Sequence, residues 1–286
     1  MTSKPLVWLI TGCSSGFGRR LAASALERGD RVIATARSVN KIQIAATPNL
    51  RTLPLDLTAG FDAIKQQVDE AAAIWGRIDV LCNNAGIGYP ALIEEGGSSL
   101  LHKQFMTNVY GTIDVTNATV PHMRAQNQGT VVIIGSRSAY RTELAGYGMY
   151  AASKAAVHSL GETLAVELAP SGIRMLIVIP GSFRTENIYG QPIYKGKMIP
   201  GPNDALRAAV EKNHSSISGT EKGDPDKAMN VVVDVVKGEG KAKGREWPLY
   251  LALGEDSEAH IRGKAGKLLT HCDDWGNVIR DVKFDE

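Results

Sequence analysis

Leu6-Val7-Trp8-Leu9-Ile10-Thr11-Gly12-Cys13-Ser14-Ser15-Gly16-Phe17-Gly18 is the stretch that decides the fold. An apolar run without alternation, Leu6 to Ile10, is the pattern of a strand covered on both faces of a parallel sheet. It passes straight into glycines at 12, 16 and 18, and then into a helical pattern from Arg19 to Arg28. Strand, glycine turn and helix in that order give a glycine motif its meaning. Glycine lets the backbone turn tightly and approach a pyrophosphate, while the helix start offers unpaired N–H groups and a favourable dipole. The competing reading is a plain strand-to-helix loop that contains glycine.

Working outward, Gly29-Asp30 closes the first helix and Arg31 to Ala36 is a second strand. In a dinucleotide fold the residue that reads the adenosine ribose lies about 20 residues past the glycines. That window reads Ala34-Thr35-Ala36-Arg37-Ser38, with an arginine and no carboxylate. A carboxylate would chelate a free ribose diol and repel a 2′-phosphate, and an arginine does the reverse. Arg37 therefore points to NADP(H) over NAD(H), unless it is an ordinary solvated side chain.

Leu50 to Leu55 reads as a third strand, with Asp56 at its end, placed to cap the next helix or to accept a bond from adenine. Asp62 to Trp75 is helical by period, and Ile78 to Cys82 is a fourth strand leading into Asn83-Asn84-Ala85-Gly86. Two asparagines before a small pair suit a turn whose side chains satisfy neighbouring backbone groups, and they would hold the sheet edge beside a cofactor. Leu100 to Arg124 is a long helix with Asn108, a mediocre helix residue, in its middle. Thr130 to Ile134 is a fifth strand ending in Gly135-Ser136-Arg137-Ser138. A helix carrying Tyr150 then runs to Leu168, Arg174 to Ile179 is a sixth strand, and Pro180-Gly181 ends it.

From Ser182 to Thr220 prolines and glycines interrupt any period, as in the lids and binding loops of compact domains. This lid is placed at about 182–222, with a short mobile helix near 204–212. Asp224-Pro225 reads as the N-cap and first position of a helix reaching about Lys237. Pro248 to Leu253 is a last strand and Glu255 to Leu269 a last helix, followed by an acidic, tryptophan-containing tail that packs or frays. Strands alternating with helices define an α/β fold: a doubly wound parallel sheet (a Rossmann fold) in a single domain over 1–286.

Tyr150-Ala151-Ala152-Ser153-Lys154 carries the chemistry. A tyrosine and a lysine four residues apart share one face of a helix. A free phenol has a pKa of about 10, too high for a good proton shuttle near neutrality. A cation roughly 4 Å away at an effective dielectric near 20 contributes about 4 kcal/mol, or about three pKa units. Such a pair arises by chance too, and gains weight only from what stands upstream.

The totals exclude several classes. With 32 basic against 30 acidic residues in 286 and no long basic run, nucleic acid and anionic membrane are poor partners. Cys13, Cys82 and Cys272 are scattered and odd in number, which suits a reducing compartment, and Cys13 and Cys82 are expected to pack. Leu6 to Ile10 is too short for a signal-peptide core or a membrane span, so a cytoplasmic protein is expected. The histidines show no ligand spacing, so no metal is expected.

Assembled, these residues resemble the short-chain dehydrogenase/reductase family in its compact single-domain branch. Thr11-Gly-x-x-x-Gly-x-Gly18, Asn83-Asn84-Ala85-Gly86, Asn108, Ser136, Tyr150-x-x-x-Lys154 and Pro180-Gly181 fall in family order over about residues 5 to 185. The resemblance implies that Tyr150 exchanges a proton with the substrate oxygen, that Lys154 lowers the tyrosine's pKa and holds the nicotinamide ribose, and that Ser136 hydrogen-bonds the carbonyl or hydroxyl oxygen. Asn108 would position a water that carries the proton onward. Gly12, Ser14, Ser15, Gly16, Phe17, Gly18, Arg37, Asp56, Asn84, Ala85, Gly86, Pro180, Gly181 and Thr185 would line the cofactor.

Two departures stand out. Ser136 precedes Tyr150 by one residue more than in most relatives. Either a one-residue bulge lies between them or Ser138 is the partner, and Ser136, which directly follows strand and glycine, is favoured. Many NADP(H) members also carry a basic residue where this chain has Ser15, so the cofactor reading leans on Arg37.

The expected function is NADP(H)-dependent interconversion of a ketone and a secondary alcohol, more often in the direction of reduction. The alternative is a catalytically idle NADP(H)-binding redox sensor. Tyr89, Tyr147, Ser182, Phe183 and Ser136 are the expected substrate contacts, with Ile87, Tyr140, Met149, Tyr189, Arg141 and Arg184 nearby. That set suggests a medium-to-large hydrophobic substrate, steroid-, polyketide- or alkaloid-like. The helices at about 100–124 and 150–168 resemble those that pair subunits in this family, which implies a homodimer or homotetramer.

Overall fold

The computed structural model describes residues 4–186, 193–194, 196–217 and 219–284. The strands are β1 Val7–Ile10, β2 Arg31–Ala36, β3 Leu50–Pro54, β4 Val80–Asn83, β5 Gly129–Ile134, β6 Ile173–Pro180 and β7 Tyr250–Leu253. They form one 7-stranded parallel sheet in the order β3-β2-β1-β4-β5-β6-β7. Every strand begins and ends within two residues of the span expected from its apolar run.

Alternate residues of the central strands face opposite cores, which is why a run such as Val7–Ile10 is apolar throughout, while the edge strands β3 and β7 are partly exposed. Val7 and Leu9 pack with α2 (Phe61–Trp75), α4 (Gly111–Ala125) and α5 (Gly148–Leu168). Trp8 and Ile10 pack on the other face with α1 (Gly16–Glu27) and α7 (Pro225–Lys237). As expected, Asp224 caps α7, accepting from Asp226 and Lys227 N–H with Pro225 in the first turn. A buried carboxylate ties this second layer to the sheet edge. Asp30 accepts from Leu6 N–H (3.0 Å), from the Trp8 indole (3.0 Å) and from Lys237 of α7 (2.8 Å).

Two elements differ from expectation. The helix expected over Leu100–Arg124 begins earlier, as α3 (Ile93–Phe105), and widens into a π-turn at Met106–Tyr110 before continuing as α4. The short helix expected near 204–212 is α6 (Pro202–Ile217). It is pinned to α3 by the ion pair between Arg207 and Glu95, while Glu95 also accepts from Ile199 N–H. After β7 the chain continues as α8 (Glu255–Asp274) and α9 (Gly276–Arg280).

The order of strands reverses between β1 and β4. Loops leaving these neighbours diverge, and the crevice between them at the carboxyl ends is where such a sheet takes its ligand.

Candidate active site

A cleft of about 850 Å³ opens at that crevice. Gly12, Ser14, Ser15, Gly16 and Phe17 form one wall, and Asn84, Ala85 and Gly86 from the end of β4 form the next. The two are interlocked: Thr11 Oγ1 accepts from Asn84 N–H (3.0 Å) and Ala85 N–H (2.9 Å), while Asn84 Nδ2 donates to Thr11 O (2.7 Å) and Gly12 O (3.2 Å). Gly12 has φ +73° and lies so close to Ala85 that an added Cβ would sit 2.8 Å from its Cα. Gly16, at φ +61°, faces open space. Gly18 does not line the cleft, and corrects the expectation. A Cβ there would collide with Asn84 and Gly12 O, so this glycine lets α1 start close against the turn.

Arg37 at the end of β2 and Asp56 after β3 border the far end of the cleft. Asp56 closes its own turn, with Oδ1 accepting from Thr58 N–H (2.9 Å) and Thr58 Oγ1 (2.8 Å). It does not cap α2, which begins at Phe61.

At the other end, Tyr150 and Lys154 enter the cleft from consecutive turns of α5. Lys154 Nζ donates to Ile134 O (2.8 Å) and lies 5.9 Å from the centre of the Tyr150 ring. Burial pushes the ammonium pKa down to about 8. One turn farther, His158 accepts from Ser136 N–H at Nε2 (3.2 Å), which assigns its proton to Nδ1. Burial, then the charge of Lys154, pushes this imidazole down to about 4, so it stays neutral. The sequence reading missed His158, although positions 150, 154 and 158 are one stripe of a helix.

Ser136 and Ser138 both border the cleft, and Ser136 Oγ accepts from Ser138 N–H (3.1 Å). Asn108, in the π-turn, lies beneath the wall. Its Oδ1 accepts from Ile87 N–H (2.8 Å), and its Nδ2 donates to Ile87 O (2.8 Å) and Ser153 Oγ (3.0 Å). It thereby clamps the loop after Gly86 to α5.

Pro180 ends β6, and Gly181, Ser182 and Thr185 follow it along the cleft. Gly181 makes room for the Asp256 carboxylate of α8, which accepts from Ser182 N–H (2.8 Å). Arg137, which the sequence reading passed over, joins this corner, donating to Ser182 Oγ (2.6 Å) and pairing with Asp256 (3.3 Å).

Tyr89 and Tyr147 border the cleft, and Tyr147 OH meets His214 Nδ1 of α6 at 2.7 Å. Phe183 does not. It is buried against Phe17, ring centres 5.4 Å apart, in the core beneath α1 and α7, where Gly223 leaves space for its ring. Met149 packs with Ala91 and Leu100, and Tyr140 lies against His158. Arg184 is held by Gly219 O and Glu221 O. Tyr189 lies outside the described residues.

One contact has no counterpart in the sequence reading. Glu186 seats its carboxylate on the start of α1, accepting from Gly16 N–H (3.0 Å), Arg19 (2.5 Å) and Arg20 (2.8 Å). The Arg20 hydrogen bond is the main reason its pKa is held down at about 2. An anion thus rests where the helix terminus favours one.

Fold and cleft together define the class of Rossmann-type α/β oxidoreductases. Residues 6–190 match the family model described as short chain dehydrogenase, and the chain belongs to that family. It is an oxidoreductase of that family, 31% identical over 272 residues to Oxidoreductase BOA17 of Botryotinia fuckeliana, covering 94% of this chain and 95% of the relative. It is 34% identical over 182 residues to the 3-ketodihydrosphingosine reductase of Bacteroides thetaiotaomicron, 64% of this chain and 65% of that protein. The crystal structure of a short-chain dehydrogenase from Streptomyces avermitilis superposes with a TM-score of 0.84 at 34% identity, over 99% of this chain and 100% of that one. No helix among the described residues is long and apolar enough to cross a membrane.

Proposed function

We propose that the protein interconverts a ketone and a secondary alcohol with NADP(H), on a medium-to-large hydrophobic substrate of steroid-, polyketide- or alkaloid-like bulk, mostly as a reductase. The observation that carries this reading is the stripe Tyr150–Lys154–His158. It brings a phenol, a buried ammonium and a neutral imidazole to the wall that also bears Ser136.

The residues fit a dinucleotide. Gly16 faces open space, Gly12 presses on Ala85, and a carboxylate already rests on the α1 terminus as a stand-in anion. Pyrophosphate would lie along Gly12–Phe17, the ribose 2′-phosphate near Arg37, the adenine near Asp56, and the nicotinamide beside Pro180, Gly181 and Thr185. When bound, that ring supplies or accepts a hydride.

The chain's own groups manage the proton. Tyr150 OH passes a proton to the carbonyl oxygen during reduction and takes one from the alcohol in reverse. The Lys154 ammonium stabilises the phenolate electrostatically. At roughly 6 Å and an effective dielectric near 20 this is worth about 3 kcal/mol. Ser136 Oγ already accepts from Ser138 N–H, so its own hydrogen is left to donate to the substrate oxygen. This favours Ser136 over Ser138 as the acting hydroxyl. Asn108 holds the loop after Gly86 in place, and the assignment of a water to it rests on the family resemblance.

Residues 182–222, with α6, serve as the lid, of which 187–192, 195 and 218 lie outside the described residues. Tyr89, Tyr147 and Met106 offer an apolar, aromatic surface, and a relative named 3-ketodihydrosphingosine reductase supports a ketone substrate. Exposed Leu160 and Val166 on α5 support assembly into a homodimer or homotetramer. Three unpaired cysteines suit the cytoplasm.

The test is NADPH oxidation against a panel of bulky ketones, with NADH as control. Tyr150→Phe should lower kcat by about 10³ while leaving NADPH binding in place. Binding without turnover across the panel would instead indicate the redox-sensing alternative. Equal use of NADH would remove the argument from Arg37.

A further inference from the structure

The arm formed by α8 and α9 leaves the domain and carries large apolar side chains into solvent: Leu268 is 55% exposed, Trp275 54% and Ile279 46%. They are not scattered. Ile261, Ala265, Leu268, Cys272, Trp275 and Ile279 recur at intervals of four, three, four, three and four residues, the seam of a helix that packs along another helix. The seam continues through the break between α8 and α9, because Trp275 N–H bonds to His271 O (3.0 Å) and Ile279 N–H to Trp275 O (2.9 Å).

The seam is its own complement in the antiparallel sense. Turned about a two-fold axis at Thr270, Ile261 meets Ile279, Ala265 meets Trp275, and Leu268 meets Cys272. Every layer is filled, and the largest side chain falls opposite the smallest. Leu269 flanks the axis and would meet its own copy. Charge follows the same symmetry. The stretch from Ile261 to Leu268 carries Arg262, Lys264 and Lys267 and no acid, while Asp273 and Asp274 carry no neighbouring base. The rotation lays the basic stretch against the acidic one, with Lys264 and Lys267 on the same flank as Asp274. Among the described residues of one chain, Lys267 pairs with the exposed Glu143, and Arg262 with Glu258 four residues away.

We propose that this arm is an interaction surface for a second copy of the chain, joined by antiparallel pairing of α8–α9 about Thr270. An isologous two-fold contact needs a patch that complements itself, and this seam does so in shape and in charge. The root of the arm reaches the cleft: Asp256 holds Ser182 and Arg137, and Ser257 Oγ donates to Ile179 O (2.7 Å). Pairing of the arms therefore anchors a corner of the active site, although the proposal does not depend on the function assigned there.

The full-length protein supplies its own probe. Cys13 and Cys82 are buried and Cys272 is exposed. In the antiparallel pair the two Cys272 residues lie about 6 Å apart along the axis, across the seam. A short bismaleimide should therefore give a covalent dimer that Cys272→Ser abolishes. In sedimentation velocity, Trp275→Asp should remove one step of assembly, with dissociation at least about 30-fold easier, as for a central aromatic anchor. Far-UV circular dichroism and the melting temperature should stay unchanged, since the side chain is exposed. Lys264→Glu and Asp274→Lys should each weaken the step by roughly three- to ten-fold, and the double reversal should restore it. The proposal is overturned by a monomer at high micromolar concentration, by an oligomer indifferent to Trp275→Asp, or by charge variants whose effects add without rescue. It is equally overturned if the arm binds anionic vesicles and not its own copy.

Discussion

The two sides of the cleft are built on different principles. Residues up to Gly181 hang from the carboxyl ends of parallel strands, and their polar groups are tied by backbone: Asn84 to Thr11 O and Gly12 O, Lys154 to Ile134 O, Ser136 N–H to His158. Beyond Gly181 backbone bonds such as Tyr194 N–H to Pro90 O persist, but much of the anchoring passes from side chain to side chain, through Arg207 with Glu95, Tyr147 with His214 and Glu186 with Arg19 and Arg20. Backbone anchoring fixes geometry to the sheet. Side-chain anchoring can be released without unfolding anything. The first suits groups that must meet a reacting atom, and the second suits a wall that must admit and release a large substrate.

The contrast breaks first where a single side chain supports the sheet. Asp30→Ala would leave the Trp8 indole, the Leu6 N–H and the Lys237 ammonium without their buried acceptor. Removing one partner of a buried pair costs about 3–5 kcal/mol. Urea unfolding should show that loss over the whole domain in one transition. By contrast, Glu95→Gln should leave that transition in place and speed hydrogen exchange only in α6. If Asp30→Ala also acted locally, the two sides would not differ in kind.

The next effect lies within the strand-anchored side and concerns pH. Folding buries Lys154 and lowers its pKa from 10.5 to about 8. Between those values the unfolded chain binds more protons, so stability rises with pH across the window, while below about 8 the full penalty persists. A displacement of that size amounts to about 3–3.5 kcal/mol in full, of which about 2–3 kcal/mol falls between pH 7 and pH 10. Wild type and Lys154→Met, unfolded in urea at pH 7 and pH 10, should show the wild type gaining that much relative to the variant. Equal responses would mean that the ammonium is solvated, and the electrostatic role given to it would lapse. A buried ammonium is here kept in place against its own solvation.

What was legible in the sequence divides along the same line. Runs such as Val7–Ile10 and residues 175–180 identify strands because each residue faces one of two cores, leaving no polar face to blur the pattern. Tyr150 and Lys154 are legible because helical spacing alone puts them together. Ser182 and Phe183 mark the limit of local pattern. Consecutive residues after a strand point to opposite sides, and adjacency cannot say which enters the cleft; Ser182 does, and Phe183 fills the core under α1. Arg207 with Glu95 and Glu186 with Arg20 join residues more than a hundred positions apart, and nothing local marks such contacts.

The smallest expected effect is also the most direct probe of the side-chain-anchored wall. Glu186 rests on Gly16 N–H, the group that would face a phosphate, and is held there by Arg19 and Arg20. A cofactor bound as proposed must displace it, so the contact would compete with binding. With its pKa held down at about 2 the carboxylate stays charged at every pH where the protein works. Its contribution to stability is complete above the ordinary carboxylate range and is lost only as pH falls towards 2. The competition is therefore constant and does not act as a pH switch. Glu186→Gln keeps the shape and removes the charge. Because the side chain is 38% exposed, solvent screens the contact, and a network of this kind is worth up to about 1 kcal/mol. NADPH should then bind the variant roughly two- to five-fold more tightly by fluorescence titration, with the gain shrinking at high salt. Weaker binding would show that Glu186 helps to hold the cofactor, and the wall beyond Gly181 would then belong with the part that positions it.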